Sequence, residues 1–286
     1  MNRIIFIPTW ICNQRCSYCD YSVTNIIRGT NGRLVGYDLE AFGRKHSFFA
    51  ELSWDKWIKY LESHAPYHLD ITGGEPLLYP EIEHLLQHLE FRSKWSITSN
   101  TLNTDVIKKM AFFNCDSWTA SFHYKNEAIF TENLIYLFKH GAKVRVTLVL
   151  TPDNESEVIR CAVKFTKHCY GVNIHPLLKQ GFSWDDTEKK RDIYNKFLDL
   201  HDGSNIIFAD IKSDFNKYQQ FNKCDAGNEY FVLLPDGKIW RCYSQILQED
   251  NAIYSHISNA KTAQGKTPCD IGRCVFPCDL KYPDKE

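Results

Sequence analysis

The stretch RIIFIPTWICNQRCSYC, residues 3–19, joins a short apolar run to three closely spaced cysteines. Residues 3–9 are mostly apolar and β-branched, a pattern that predicts a buried strand. Cys12, Cys16 and Cys19 follow at once, with three residues between the first pair and two between the second. We therefore expect a buried strand that runs directly into a metal-binding loop.

The cysteine spacing indicates which metal this loop binds. Three thiolates on one short loop can hold three irons of a [4Fe–4S] cubane, which leaves the fourth iron open to a substrate or cofactor. Structural zinc normally takes four protein ligands, and the other cysteines are distant in sequence. An iron–sulfur cluster is the preferred interpretation, and a zinc site or buried free thiols are the alternatives.

A regular alternation of strands and helices continues from this loop to about residue 178. Ser53 is a candidate N-cap for an amphipathic helix, and Gly141 ends a later helix. Residues 20–50 show little periodicity, so we expect a long loop there. Strands are predicted over residues 3–9, 68–72, 95–99, 117–123, 144–150 and 172–178. This alternation predicts an α/β fold, a parallel sheet curled into a partial (β/α)6 barrel with ligands at the carboxyl ends of its strands.

The sequence TGGEPL, residues 72–77, closes the second predicted strand. Two glycines allow a ligand to come close to the backbone, and a strand edge can pair with a ligand's amino group. An ordinary strand-to-helix turn is the alternative. Because TGGEPL lies one β–α unit after the cysteine loop, we favour a ligand-binding role for this turn.

The cysteine loop and the Gly-Gly-Glu-Pro turn together resemble the radical S-adenosylmethionine (SAM) superfamily over about residues 3–200. The resemblance implies that SAM chelates the open iron of a cluster on Cys12, Cys16 and Cys19. It further implies that one electron cleaves SAM to a 5′-deoxyadenosyl radical, which removes a hydrogen atom from the substrate. The implied SAM-binding residues are Tyr18, Gly73, Gly74, Glu75, Pro76, Ser99, Asn100 and Ser121.

The last third of the chain carries a second group of cysteines. A hairpin is predicted around Pro235, Asp236 and Gly237, with Cys224 and Cys242 on either side of it. This element resembles the auxiliary-cluster modules called SPASM and twitch, so we expect a core domain at residues 1–200 and an auxiliary domain at 201–286. The expected ligands of a second [4Fe–4S] cluster are Cys224, Cys242 and two of Cys269, Cys274 and Cys278. A zinc ribbon is the alternative for this tail.

Two histidines at predicted strand ends are candidate acid–base residues. His123 ends the fourth strand and His175 lies on the sixth, so both can face a substrate. A hydrogen-bonded structural role is the alternative for each. Cys115, Cys161 and Cys169 fall in apolar segments and are interpreted as core residues.

Composition narrows the function classes. The chain has 286 residues and a net charge of −1, so no overall charge draws it to nucleic acid or to a membrane. The sequence has no candidate membrane span or secretory signal, which predicts a cytoplasmic protein.

Two substrate classes are compatible with the resemblance. A small polar metabolite or nucleotide derivative is favoured by a catalytic strand that starts at residue 3, and a ribosomal peptide or protein side chain is the alternative. A low-potential donor such as flavodoxin or ferredoxin is the expected electron source. A non-catalytic zinc protein is a third hypothesis.

Overall fold

The computed structural model describes residues 2–14, 16, 27–28, 34–36, 51–63, 67–89, 93–151, 153–176, 195, 206–208, 226, 230–242 and 255–259. The chain divides into two compact units, and the boundary falls after Trp95. The first unit comprises residues 1–13, 20–95 and 212–286, and the second comprises residues 14–19 and 96–211. No helix in these ranges is both long and apolar enough to cross a membrane.

Strand β1 (Asn2–Phe6) lies at the centre of the first unit. It pairs in parallel with β4 (Tyr67–Ile71) on one side and with β10 (Tyr230–Leu233) on the other. The sheet continues antiparallel through β11 (Lys238–Trp240) to β12 (Ser255–His256). The predicted hairpin is therefore confirmed, and it extends the same sheet as the N-terminal strand.

Two helices and a small two-stranded sheet complete the described part of this unit. Helix α1 (Trp54–Glu62) starts after Ser53, as predicted, and buries Trp57 against Phe6, with ring centroids 4.8 Å apart. Helix α2 (Ile82–Leu89) follows a short 3₁₀ turn, Pro76–Leu78. Strands β2 (Ile27–Arg28) and β3 (Leu34–Gly36) lie within the segment that was predicted to be a long loop.

The second unit alternates strands and helices. Five strands pair in parallel in chain order: β5 (Lys94–Ser99), β6 (Ser117–Phe122), β7 (Val144–Leu150), β8 (Gly171–Pro176) and β9 (Ile206–Phe208). The part of β5 that belongs to this unit begins at Ser96. The intervening helices are α3 (Thr104–Met110), α4 (Glu127–Lys139) and α5 (Glu155–Phe165). These parallel strands confirm the predicted α/β fold and are consistent with a partial barrel.

One face of this second sheet is apolar and packs against helices α4 and α5. Phe122 contacts Phe130 and Phe165, with ring centroids 4.8 and 5.1 Å apart. Burying such side chains contributes roughly 1.5–3 kcal/mol each, so this face anchors the helices. The other face of the sheet carries the polar side chains described below.

Candidate functional site

The cysteine loop begins where β1 ends. Cys12 and Cys16 are half-buried, and neither is in a disulfide. Tyr18 and Cys19 lie outside the described residues. The two described thiols are thus compatible with metal ligation, which requires unoxidised cysteine.

The Gly-Gly-Glu-Pro turn packs directly against the residues that precede Cys12. A Cβ on Gly74 would lie 2.4 Å from the carbonyl oxygens of Trp10 and Ile11, a distance that no side chain tolerates. Gly73 has a φ of +122°, and a Cβ there would lie 2.5 Å from Cγ2 of Ile7. Both glycines are therefore required by close contact within the protein, a reason that the sequence alone did not indicate.

Backbone hydrogen bonds join this turn to the start of the cysteine loop. The amide of Gly74 donates to the carbonyl oxygen of Thr9 at 3.1 Å, and the amide of Glu75 donates to that of Ile11 at 2.7 Å. The Glu75 side chain is buried, and its Oε1 accepts from the amide of Leu77 at 3.0 Å. Glu75 thus caps the 3₁₀ turn that begins at Pro76, and hydrogen bonds join this turn to residues 9–11.

Ser99 and Asn100 form a tight turn at the end of β5. Oγ of Ser99 accepts from the amide of Thr101 at 2.8 Å, and Oδ1 of Asn100 accepts from the amide of Leu102 at 3.2 Å. Thr101 has a φ of +60° and is held by the side chains of Trp118 and Asn133. Ser99 and Asn100 therefore stabilise this turn, and their contact with SAM stays a prediction.

A polar face runs across strands β6, β7 and β8. Ser121 is paired in register with Thr147, and Thr147 with Asn173, so these three side chains lie in one row. Arg145 lies in a lower row beside Thr119 and is exposed. Among the described residues, the structure gives the Arg145 guanidinium no hydrogen bond and no ion pair. Sequence analysis identified Ser121 but missed Thr147 and Asn173, because single polar residues on a strand give no motif.

His123 and His175 lie on neighbouring parts of this sheet. His123 directly follows Phe122, which is paired with Leu148, and His175 is paired with Val149. The two histidine backbones are therefore about two strand spacings, roughly 10 Å, apart. Burial, with a smaller contribution from Lys125, lowers the pKa of His123 to about 4. Part of His175 is exposed to solvent, yet burial of its ring lowers its pKa as well. Both imidazoles are thus suited to act as neutral groups.

A charged cluster lies on β1 and β4 of the first unit. Nε of Arg3 donates to the carboxylate of Asp70, and Nε2 of His68 lies 3.4 Å from the same carboxylate. All three side chains are mostly buried, being 18–27% exposed. Alternation of side chains places Arg3 and Asp70 on the face opposite Phe6 and helix α1.

The described part of the second cysteine group is Cys242, which is buried. Its neighbour Arg241 is also buried, and Nε of Arg241 donates to the carbonyl oxygen of Ala226 at 2.9 Å. Ala226, two positions after residue 224, is therefore hydrogen-bonded to Arg241, the residue next to Cys242. Cys224, Cys269, Cys274 and Cys278 lie outside the described residues.

Of the remaining cysteines, Cys161 and Cys169 are buried core residues and Cys115 is half-buried. Burial raises the pKa of Cys115 and of Cys161 to about 12, and it raises that of Cys169 as well. Among the described residues, Glu127, Glu157 and Cys161 have the spacing of a metal site. Arg160 already bonds both carboxylates, and Lys164 bonds Glu127. This cluster is an ion-pair network between helices α4 and α5.

Comparison with known proteins gives one family and several structures. Residues 6–162 match the family described as Radical SAM superfamily. No curated protein matches the chain.

The structural matches include SuiB of Streptococcus suis and anSMEcpe. SuiB bound to S-adenosylmethionine is 15% identical, with a TM-score of 0.58 over 89% of this chain and 62% of that one. SuiB bound to the precursor peptide SuiA is 14% identical, with a TM-score of 0.59 over 89% and 63%. Native anSMEcpe with AdoMet and the Cp18Cys peptide is 14% identical, with a TM-score of 0.53 over 84% and 73%. At these identities the matches establish a shared fold, and the chain spans about three-fifths of the length of SuiB.

Proposed function

We propose that this chain, which belongs to the radical SAM superfamily, binds a [4Fe–4S] cluster on Cys12, Cys16 and Cys19 and cleaves SAM reductively. The observation that carries this proposal is the bonding of the Gly-Gly-Glu-Pro turn to the start of the cysteine loop. The matched region, residues 6–162, includes both elements.

The described residues fit the proposed cluster. Cys12 and Cys16 are outside any disulfide and half-buried, so their thiolates can reach a metal while the protein shields it. Three cysteine ligands leave one iron open for the amino and carboxylate groups of SAM. When bound, the cluster supplies the electron that cleaves SAM to methionine and a 5′-deoxyadenosyl radical.

The turn at residues 73–76 is the proposed site for the methionine amino group of SAM. The amides of Gly74 and Glu75 already donate to Thr9 and Ile11. An amino group coordinated to iron keeps two N–H donors and needs acceptors for them, so the carbonyl oxygens of the turn are the groups to which it would donate. Tyr18, Ser99, Asn100 and Ser121 remain the proposed contacts to the rest of SAM.

The polar face of β6–β8 is the proposed substrate surface. Ser121, Thr147 and Asn173 offer uncharged hydrogen-bonding groups, and Arg145 offers a cation. His123 and His175 have lowered pKa values, so at neutral pH they can accept a proton or a hydrogen bond. Such a surface suits a substrate with several polar groups.

A peptide or protein side chain is the proposed substrate class. SuiB has been captured with its precursor peptide SuiA and anSMEcpe with the Cp18Cys peptide, which supports this class for a chain of the same fold. The small polar metabolite expected from the sequence is the rival, and a ferredoxin or flavodoxin is the proposed electron donor. A second cluster on Cys224, Cys242 and two of the later cysteines would anchor the substrate or accept an electron from it.

Anaerobic reconstitution followed by reaction with SAM and dithionite tests this function. We expect iron and sulfide in equal amounts and the release of 5′-deoxyadenosine. Adding size-separated fractions of a cell extract distinguishes the substrate classes, because the fraction that contains the substrate should increase 5′-deoxyadenosine formation. Zinc in place of iron, with no 5′-deoxyadenosine, would contradict the proposal.

A further inference from the structure

Residues 9–11, which connect β1 to the cysteine loop, depend on one threonine hydroxyl. Thr9 is completely buried, and its Oγ1 accepts from the amide of Ile11 at 3.0 Å. The same hydroxyl donates to Oε1 of Glu51. Because a buried hydroxyl needs an acceptor for its proton, Glu51 completes the hydrogen bonding of Thr9.

Glu51 is an unusual partner for a structural threonine. Burial raises the pKa of its carboxyl, and the hydrogen bond from Thr9 only partly opposes this effect. Among the described residues, no lysine, arginine or histidine forms an ion pair with Glu51. A half-buried carboxylate without a cation is costly, so its presence here points to a specific task.

The residue after Glu51 is fixed from two directions. The amide of Leu52 donates to the carbonyl oxygen of Pro235 at 3.0 Å, and the hydroxyl of Tyr79 donates to the carbonyl oxygen of Leu52. Cδ1 of Leu52 fills the space beside Gly237, where a Cβ would lie only 2.8 Å away. The Glu51–Leu52 segment therefore connects the turn of the β10–β11 hairpin to Thr9.

We propose that Glu51 is a positioning residue that holds the start of the cysteine loop through Thr9 and ties it to the C-terminal hairpin. Loss of this bond should let residues 9–12 open more often and expose the cluster to attack. This inference rests on the proposed function, since it assigns the loop to a cluster.

The test compares two disruptive and two conservative variants. Glu51→Ala and Thr9→Val remove the bond, whereas Glu51→Gln and Thr9→Ser keep an acceptor or a donor in place. Glu62→Ala is the matched control, because Glu62 is a carboxylate on α1 that pairs with His88 at 2.9 Å. Thermal unfolding by circular dichroism shows whether each variant is folded.

The rate of iron loss to an anaerobic chelator, bathophenanthroline, is the main measurement. A net hydrogen bond of about 0.5–1.5 kcal/mol predicts iron release roughly 2- to 12-fold faster in Glu51→Ala and Thr9→Val. Glu51→Gln, Thr9→Ser and Glu62→Ala should stay close to the unmodified protein. The double variant Thr9→Val/Glu51→Ala should be no faster than either single variant, because both remove the same bond.

Three outcomes would overturn the inference: an unchanged rate in Glu51→Ala, an equal rate in Glu51→Gln and Glu51→Ala, or additive effects in the double variant. Hydrogen–deuterium exchange of the peptide containing residues 9–12, measured on protein without added iron, is the second readout. Faster exchange in Glu51→Ala is expected whether or not the unmodified protein binds iron. Absence of iron from the unmodified protein would reject the proposed function, and faster exchange in the variant would still support the link between Glu51 and the loop.

Discussion

The amide of Glu75 lies 2.7 Å from the carbonyl oxygen of Ile11, the residue immediately before Cys12. Two motifs that are more than fifty positions apart in sequence are thus joined through their backbones. Because backbone groups form the contact, substitution of the Glu75 side chain alone does not remove it. The predictions below follow from this and related contacts.

Cys16→Ala should abolish both cluster assembly and SAM cleavage, because two thiolates on the loop cannot hold the cubane. The matched control is Cys115→Ala. Burial raises the pKa of Cys115 to about 12, and its Sγ donates to the carbonyl oxygen of Ser117 at 3.1 Å, so we expect no metal ligation by Cys115. Iron analysis and 5′-deoxyadenosine release measure the two effects. Equal product from Cys16→Ala and the unmodified protein would exclude this cysteine loop as the cluster site.

Gly74→Ala should lower the iron content, since its Cβ would displace the carbonyl groups of Trp10 and Ile11. Such overpacking costs about 1–3 kcal/mol. Gly141→Ala is the control: a Cβ there meets nothing within 4 Å, but the φ of +84° imposes a strain of about 1–2 kcal/mol. The two variants should lose similar stability in urea, and only Gly74→Ala should lose iron. Full iron occupancy in Gly74→Ala would show that the cysteine loop tolerates displacement.

The proposed second cluster predicts that Cys242→Ala removes that cluster while the proposed cluster on Cys12, Cys16 and Cys19 remains. Two cubanes give about eight irons per chain, so the variant should retain about four and still cleave SAM. The triple variant Cys12→Ala/Cys16→Ala/Cys19→Ala should also keep about half. If Cys242→Ala retained all of the iron, the C-terminal cysteines would have another role.

His123 should make the protein less stable in acid. Its pKa is lowered from 6.5 to about 4 in the folded chain, so unfolding takes up a proton between these values. Its stabilising contribution is complete above pH 6.5 and is lost as the pH falls toward 4. His123→Asn should therefore show a smaller drop in urea midpoint between about pH 7 and about pH 5 than the unmodified protein. The exposed His84 provides the control variant His84→Asn, for which the full drop is expected.

Asn133→Leu should destabilise the turn after β5. Nδ2 of Asn133 donates to the carbonyl oxygen of Thr101 at 3.0 Å in a buried site, and an unsatisfied carbonyl there costs about 1–3 kcal/mol. If Ser99 and Asn100 contact SAM, the affinity for SAM should fall as well. Equilibrium dialysis with SAM measures that affinity, and urea unfolding measures the stability. Loss of stability with unchanged SAM affinity would limit this turn to a structural role.

The sequence predicted the order of the parallel strands and helices because each element carries its own periodic signal. Strand β7, for example, was predicted with the observed bounds. It also identified the cysteine loop and the glycine turn, since both are local motifs. The pairing of β1 with β10 was not predictable, because contacts between distant segments leave no mark on local periodicity. Glu51 escaped notice for the same reason: its partner, Thr9, is 42 positions away.

The parallel pairing of Ile4 with Phe231 has a consequence for the order in which the protein is made. A ribosome adds about 5–20 residues per second, so β1 emerges roughly 10–45 seconds before its partner strand exists. During that interval one edge of β1 has no strand to pair with, and an open apolar edge invites association with other chains. The sheet around β1 can therefore be completed only after β10 has been synthesised, so residues 9–12 should reach their folded arrangement late in translation.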